Sequence, residues 1–99
     1  MSSLEILQRM REILEEPQRW CKLARHSDHD RHCIVGAYEI AVFGKEPSRT
    51  EVLSSNTYQA TTELLFGPNG PDAANWNDNW ARTHEDVIAQ LDKRIKELS

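Results

Sequence analysis

A cysteine and a histidine that lie far apart in the chain are the residues whose types could carry out covalent chemistry. Cys33 opens an apolar run. If that run is helical, the backbone N–H groups at its start would lower the pKa of the thiol and favour the nucleophilic thiolate. His84 could act as the base, oriented by Asn77 or Asp78, as in a Cys-His-Asn/Asp hydrolase. The alternative is that Cys33 packs as a small buried hydrophobe and that His84 is an exposed residue at a helix start.

A histidine-rich stretch, HSDHDRH at residues 26–32, offers a second kind of chemistry. His26, His29 and His32 stand close to Asp28 and Cys33, and ligands of these kinds can hold zinc. A structural zinc site, however, usually takes its ligand pairs from two separate segments, and one short loop wraps a tetrahedron poorly. A solvated polar loop is the other interpretation, and we expect neither a bound metal nor a cofactor.

The stretch AANWNDNWARTHEDV, residues 73–87, could bind a flat ligand. Trp76 and Trp80 are four positions apart, so they would share one face of a helix. Stacked with Trp20 or Tyr58, they could sandwich a small nucleotide-like molecule, whose edge the neighbouring asparagines could read.

The same stretch has a purely structural interpretation. Trp76 would anchor a turn to the core, and Asn77 and Asp78 would form Asx-turns, in which a side-chain oxygen accepts from a nearby backbone N–H. Trp80 lies in the polar sequence DNWAR and is the best candidate for an exposed aromatic, a type enriched at protein interfaces. Trp80, together with His84, is therefore the strongest candidate for contacting a partner.

The first third of the chain predicts two helices. Apolar residues recur every three or four positions from Leu4 to Leu14, which is typical of an amphipathic helix, and Ser3 can cap it. A short second helix from Pro17 to about Arg25 would carry three residues inward: Trp20, Cys21 and Leu23.

The run CIVGAYEIAVFG, residues 33–44, contains Glu39 as its only charged residue. It is longer than a typical strand, and Gly44 is a plausible helix stop. We therefore predict a central helix over 33–43 that is buried nearly all round. The many β-branched residues leave a strand over 34–43, and hence an α+β fold, as the alternative.

The next segment is predicted to be a helix that starts with a capping box of Ser48 and Glu51 and runs to about Phe66. Poor helix formers in its middle predict a break or kink near Asn56. The proline- and glycine-rich residues 67–72 predict a loop.

A second capping box, Thr83 and Asp86, predicts the start of the last helix. Its apolar positions include Leu91, Ile95 and Leu98, which with the stripe of the first helix could exceed what the core needs. Small helical proteins often dimerise to bury such a surplus, so a homodimer is expected. The predicted fold is all-α: one domain over residues 1–99, a compact bundle of four to five helices around the central apolar helix.

Composition excludes several functional classes. The 99 residues carry 12 basic and 16 acidic side chains, interleaved, with a net charge of −4, so we expect no direct nucleic-acid binding. No apolar run approaches a membrane span, and the N-terminus does not resemble a signal peptide. Two cysteines are too few for a disulfide framework, and a cytoplasmic protein with reduced thiols is expected.

The order of motifs resembles a small-protein family of unknown function found in actinobacterial and phage genomes. The matching pieces are Trp20, CIVGA at residues 33–37, WND at 76–78 and THEDV at 83–87. They correspond to the family's helix-ending tryptophan, its C-A-x-G-A helix and its closing W-N-D … T-H-x-E-V segment. The resemblance implies a fold and a bacterial or phage setting, and it implies no activity.

This chain departs from the family pattern in a shortened insert after the tryptophan, in Ile34 where alanine is usual and in Asp86 where glutamate is usual. Taken together, the observations favour a small soluble binding protein over the hydrolase. Its expected partner is a host protein or a small signalling ligand that it sequesters. In either case it could act as an inhibitor of host defence.

Overall fold

The computed structural model describes residues 1–28, 30–46, 48, 50 and 56–99. Within them the chain forms five α-helices and one small antiparallel β-hairpin. The helices are α1 (Ser3–Ile13), α2 (Ile34–Phe43), α3 (Thr57–Phe66), α4 (Ala73–Asp78) and α5 (His84–Leu98), and the strands are β1 (His26–Ser27) and β2 (Arg31–His32). The prediction of a compact, mostly helical fold is confirmed. None of the helices in these residues is long and apolar enough to cross a membrane.

Helix α2 lies at the centre of the molecule, in contact with α1, α3, α4 and strand β2. None of its residues is exposed, so the predicted central helix is confirmed and the alternative of a strand is wrong. The sulfur of Cys33 caps its start by accepting a hydrogen bond from the N–H of Gly36 at 3.4 Å. Gly44 ends it with φ of 78°, a left-handed conformation that favours glycine.

Helix α1 packs against both α2 and α5, and its apolar stripe enters the core as predicted. Its N-cap is Ser2 rather than Ser3, because the Oγ atom of Ser2 accepts a hydrogen bond from the N–H of Glu5 at 3.2 Å. The fully or almost fully buried apolar residues of the core are Leu7, Met10, Leu14, Cys33, Ile34, Val35, Ala37, Ala41, Leu65, Ala73, Val87 and Leu91.

The segment after α1 differs from the prediction of a helix that reaches about Arg25. Pro17–Arg19 form a single 3₁₀ turn, Trp20 is extended, and the chain then bends at Lys22 and Leu23. The backbone N–H of Cys21 donates to the carbonyl oxygen of His32 at 3.0 Å. This segment is therefore bonded to the hairpin instead of forming the internal hydrogen bonds of a helix. Leu23, which was expected to point inward, is exposed.

Residues 26–28 and 30–32, in a stretch predicted to be a polar loop, form the hairpin instead. His26 and His32 are cross-strand partners, and His32 is buried. The turn of chain before the hairpin lies directly on α2 at Gly36, where an added Cβ atom would be only 1.9 Å from the carbonyl oxygen of Arg25. Glycine is therefore required in the helix at this position, because any side chain would displace the hairpin.

The second half of the chain confirms one predicted cap and leaves another outside the described residues. Glu51, half of the first predicted capping box, is not among them. Helix α3 begins immediately after Asn56, the predicted break point, whose φ is 50°. Helix α5 begins with the predicted capping box, in which Thr83 and Asp86 each accept a hydrogen bond from the other's backbone N–H.

Candidate functional site

The end of α4 is fastened to the first third of the chain by one fully buried side chain, that of Asn77. Its Oδ1 atom accepts from the indole N–H of Trp20 at 2.7 Å and from the backbone N–H of Ile34 at 3.0 Å. Its Nδ2 group donates to the carbonyl oxygen of Cys21 at 3.1 Å and to Oδ1 of Asp78 at 3.0 Å. Both amide hydrogens and both oxygen lone pairs are thus in use, as a buried amide requires.

The predicted Asx-turns at Asn77 and Asp78 are wrong, because both side chains bond across the molecule. The Oδ1 atom of Asp78 accepts from the backbone N–H of Leu23 at 2.8 Å, 55 positions away. The local turn of this stretch is made by Asn79, whose Oδ1 accepts from the N–H of Ala81 at 2.9 Å. Asn77 and Asp78 are the last two residues of a helix that the sequence did not predict, and their side chains reach residues 20–23.

Trp76 is a half-buried anchor, as its structural interpretation predicted. Its ring packs edge-on against Phe66, with centroids 5.3 Å apart, and the guanidinium of Arg82 covers it at 4.2 Å from the ring centre. Helix α4 ends at Asp78, so Trp80 lies beyond it and does not share a helix face with Trp76. The Trp80 residue is 91% exposed, which confirms the predicted exposed aromatic.

The other two aromatic residues of the predicted ligand sandwich lie elsewhere. Trp20 neighbours the ring of His84, with centroids 6.4 Å apart. Tyr58 is partly exposed beneath the guanidinium of Arg25, which lies 5.8 Å from its ring centre. Among the ring contacts of the described residues, none joins two of the four predicted sandwich members.

The proposed thiol centre is not assembled by the contacts of the described residues, in which no hydrogen bond joins Cys33 to His84. Cys33 is buried, and burial raises the pKa of its thiol to about 11, so the predicted lowering of this pKa is wrong. The helix start does favour the thiolate through the N–H of Gly36, but desolvation has the larger effect. His84 is occupied with the backbone, since its Nε2 donates to the carbonyl oxygen of Leu14 at 2.6 Å.

The histidines of the hairpin meet carboxylates instead of a common ligand position. His32 Nε2 lies 2.8 Å from Oδ1 of Asp30, and His26 Nε2 lies 3.2 Å from Oε1 of the buried Glu39. The hydrogen bond from His32 is the main cause that lowers the pKa of Asp30. His29 is outside the described residues, within which no group of three or more histidines, cysteines and acids is placed to hold a metal ion.

Two turns next to the Asn77 linkage present large apolar side chains to solvent. Leu23 is 84% exposed and has φ of 67°, a left-handed conformation that is rare for a bulky residue. The turn of Leu23 is bonded to that of Trp80, because Lys22 Nζ donates to the carbonyl oxygens of Asn79 at 2.8 Å and of Trp80 at 3.2 Å. We call these two exposed side chains, on their linked turns, the Trp80–Leu23 surface.

Sequence reasoning identified Trp80 and missed Leu23. A polar neighbourhood marks a tryptophan as a candidate for exposure, but a leucine between Lys22 and Ala24 carries no sign of a left-handed backbone. The hydrogen bond from its N–H to Asp78, which holds this conformation, comes from the far end of the sequence.

Two of three comparisons with known proteins gave no match: neither the curated proteins nor the solved structures contain one for this chain. A family model described as a family of unknown function (DUF6197) matches residues 1–97. This match covers the helices of the described residues, apart from the last residue of α5, and both turns of the Trp80–Leu23 surface. The chain therefore belongs to the DUF6197 family of unknown function.

Proposed function

We propose that the protein is a binding module that recognises a partner protein through the Trp80–Leu23 surface. The observation that carries this proposal is the exposure of a tryptophan and a leucine on two turns that hydrogen bonds hold together. Tryptophan side chains of this kind often supply a large share of the binding energy at protein interfaces.

The backbone at Leu23 supports the same proposal. A left-handed conformation costs a branched residue about 1 to 2 kcal/mol, and such strain is found preferentially at functional sites. Here the Asp78 carboxylate and the Lys22 side chain hold the turn in place, so the leucine is presented in a fixed orientation. Fixed orientation favours binding because less conformational freedom is lost when the partner arrives.

At Leu23 itself, the cavity fits a protein side chain better than a flat small ligand. The cavity next to Leu23, which Arg25, Tyr58 and Asp78 also line, holds about 80 Å³. Sites for small molecules usually hold about 300 to 1,000 Å³. A cavity of this size admits one small side chain of a partner, and the exposed Trp80 ring would lie against the partner's surface.

For the setting, we propose a bacterial or phage-encoded protein whose partner is a host protein, with inhibition of host defence as its effect. The support is the motif resemblance given above and the small size of the domain, which suits action by contact.

Affinity capture from a bacterial lysate, with native mass spectrometry of what is retained, tests the binding surface. Four forms of the full chain are compared: wild type, Trp80→Ala, Leu23→Gly, and Asn75→Ala as a control at an exposed position of α4. We expect wild type and the control to retain the same protein in defined stoichiometry, and both surface variants to lose it. Equal retention by all four forms, or retention of a small ligand alone, would overturn the proposal.

The predicted homodimer is a separate matter, tested by light scattering. The apolar surplus from which it was inferred is partly used, because Leu91 is buried in the core and Ile95 packs against it. Leu98 is the member of that stripe left exposed, so Leu98→Ala should weaken a dimer if this face forms one.

A further inference from the structure

Two histidines on opposite strands of the hairpin face each other through the same type of ring nitrogen. Nδ1 of His26 and Nδ1 of His32 are 2.9 Å apart, and the rings meet edge to face with centroids 5.1 Å apart. Their side chains are 15% and 3% exposed, so this contact is largely shielded from water. A distance of 2.9 Å between two nitrogens is that of a hydrogen bond, in which one must donate and the other accept.

The remaining ring nitrogens are both committed to carboxylates. Nε2 of His26 faces Glu39, and Nε2 of His32 faces Asp30. An ionised carboxylate only accepts hydrogen bonds, so each Nε2 must carry a proton. A neutral imidazole has one N–H, and two neutral rings would therefore bring two unprotonated Nδ1 lone pairs together at 2.9 Å.

We propose that the hairpin binds one proton beyond those of two neutral histidines, shared between Nδ1 of His26 and Nδ1 of His32. That proton turns the opposed lone pairs into an N–H···N hydrogen bond. The count is the same if the proton resides on Glu39, because its carboxyl group would then donate to Nε2 of His26 and leave Nδ1–H of that ring to donate. A second extra proton would place two N–H groups face to face and break the contact.

The charges around the histidine pair favour this added positive charge. Arg25 pairs with Glu39 at 2.9 Å, and Arg19 pairs with Asp30 at 2.9 Å. Oε1 of Glu46 lies 3.8 Å from Nδ1 of His26. Among the described residues, these three carboxylates and two guanidiniums are the charged groups that the contacts place around the pair, and they sum to −1. One bound proton brings the cluster to neutrality, which matters because Glu39 is fully buried.

A metal ion in place of the proton fits the distance less well. Two nitrogens that bind a zinc ion at about 2.1 Å with tetrahedral angles would be about 3.4 Å apart. The observed 2.9 Å is shorter and matches a proton-mediated contact.

The bound proton would act on the packing of the hairpin. The N–H of Cys21 donates to the carbonyl oxygen of His32, and the N–H of Cys33 donates to the carbonyl oxygen of Arg25. These two bonds connect the hairpin to the segments on either side of the histidine pair. Loss of the proton sets the two lone pairs against each other and loosens these connections. The folded chain would then be destabilised as pH rises, because it holds a proton that the unfolded chain releases.

At acidic pH the sign reverses. The unfolded chain takes up protons on both histidines where the folded pair accommodates one extra proton, so stability falls again as pH decreases. We expect the urea midpoint of wild type to pass through a maximum and to fall on both its acidic and its alkaline side.

Nitrogen-15 NMR of the histidine rings in the full-length protein counts the protons directly. We expect three protons on the four ring nitrogens of His26 and His32 while the hairpin is ordered, or two with a protonated Glu39 carboxyl seen by carbon-13 NMR. Two ring protons with an ionised Glu39 would overturn the proposal, as would a stoichiometric metal ion in native mass spectra.

A pair of variants supplies the second readout. His26→Gln removes the shared proton and should flatten the pH dependence of the urea midpoint, whereas His84→Gln, which alters a histidine bonded to a backbone carbonyl, should leave its shape unchanged. If His26→Gln does not fold, the NMR proton count on wild type still decides. An unchanged pH profile in a folded His26→Gln protein would contradict the proposal.

Discussion

Asn77 and Trp80 are three positions apart, yet the side chain of one is bonded to several segments of the chain and that of the other is exposed to solvent. Asn77 is fully buried and makes four hydrogen bonds. The side chain of Trp80 is exposed to solvent, and among the hydrogen bonds of the described residues its backbone carbonyl accepts one from Lys22. Helix α4 ends between them, so the buried residue belongs to the helix and the exposed residue to the turn that follows it.

The difference shows that residue type alone does not indicate a binding site in this stretch. Asparagine near tryptophan suggested a polar ligand site, but here the asparagine recognises the indole N–H of Trp20 from the same chain. The amide therefore contributes to stability, and the exposed ring remains available for contact with another molecule.

The largest expected effect comes from removing the linkage. Asn77→Ala leaves the indole N–H of Trp20, the N–H of Ile34 and the carbonyl of Cys21 without their partner. Each unsatisfied buried group costs about 1 kcal/mol or more, so we expect the free energy of unfolding to fall by about 3 kcal/mol in urea titrations.

Two neighbours serve as matched controls for that measurement. Asn75→Ala, an exposed asparagine in the same helix, and Trp80→Ala should each change the free energy of unfolding by less than about 0.5 kcal/mol. If Trp80→Ala destabilises the protein as much as Asn77→Ala, the contrast between the two residues is wrong.

The two cysteines offer a second comparison between a buried and a more accessible side chain. With its pKa raised to about 11, Cys33 would be thiolate in about one molecule in a thousand at pH 8, and its sulfur is also buried. Cys21, whose pKa burial also raises, is more accessible. We expect a thiol reagent to modify Cys21 first and Cys33 only after urea unfolds the chain, with peptide mapping as the readout. Rapid labelling of Cys33 in the folded protein would contradict this.

A smaller effect is expected at the cap that follows the exposed turn. Thr83→Ala removes the oxygen that accepts from the N–H of Asp86, which should cost about 1 kcal/mol. The pKa of Asp86 is lowered mainly by its hydrogen bond from the backbone N–H of Thr83. Its contribution to stability is therefore complete above the ordinary aspartate pKa and is lost as pH falls through the lowered value. When the free energy of unfolding is measured as pH is lowered, the Asp86→Asn protein should lack this loss. A profile identical to that of wild type would argue against the cap.

The smallest effect should have the opposite sign. Leu23→Gly relieves the left-handed strain of about 1 to 2 kcal/mol, and the greater freedom of glycine in the unfolded chain offsets part of it. We expect a net stabilisation of about 0.5 to 1 kcal/mol in thermal or urea unfolding. Leu23→Ala, which keeps a Cβ atom, should not gain it. A destabilised Leu23→Gly protein would show that the leucine side chain supports the fold.

Helices α2 and α5 were predictable from sequence because their signals are local, whereas the short helix α4 was not predicted. The capping box at Thr83 and the run of apolar residues around Ala37 were sufficient to predict α5 and α2. The helix predicted beyond Arg19 was wrong because the N–H of Cys21 bonds to a residue of the hairpin. Nothing near Cys21 in the sequence indicates that partner.

The candidate site was predictable only in part, for the same reason. Trp80 could be recognised by its polar neighbours, whereas the roles of Asn77 and Asp78 depend on partners that lie 43 to 57 positions away. The raised pKa of Cys33 likewise depends on burial, and the sequence showed only its position at a helix start.

The span of the Asn77 hydrogen bonds also has a kinetic consequence. They close loops of 43 to 57 residues, whereas the helices and the hairpin close within a few residues. Long loops carry the larger entropy cost, so we expect these bonds to form late during folding, after the local elements exist. Asn77→Ala should accordingly speed unfolding far more than it slows refolding. Removal of this one amide group would then shorten the half-life of the folded molecule.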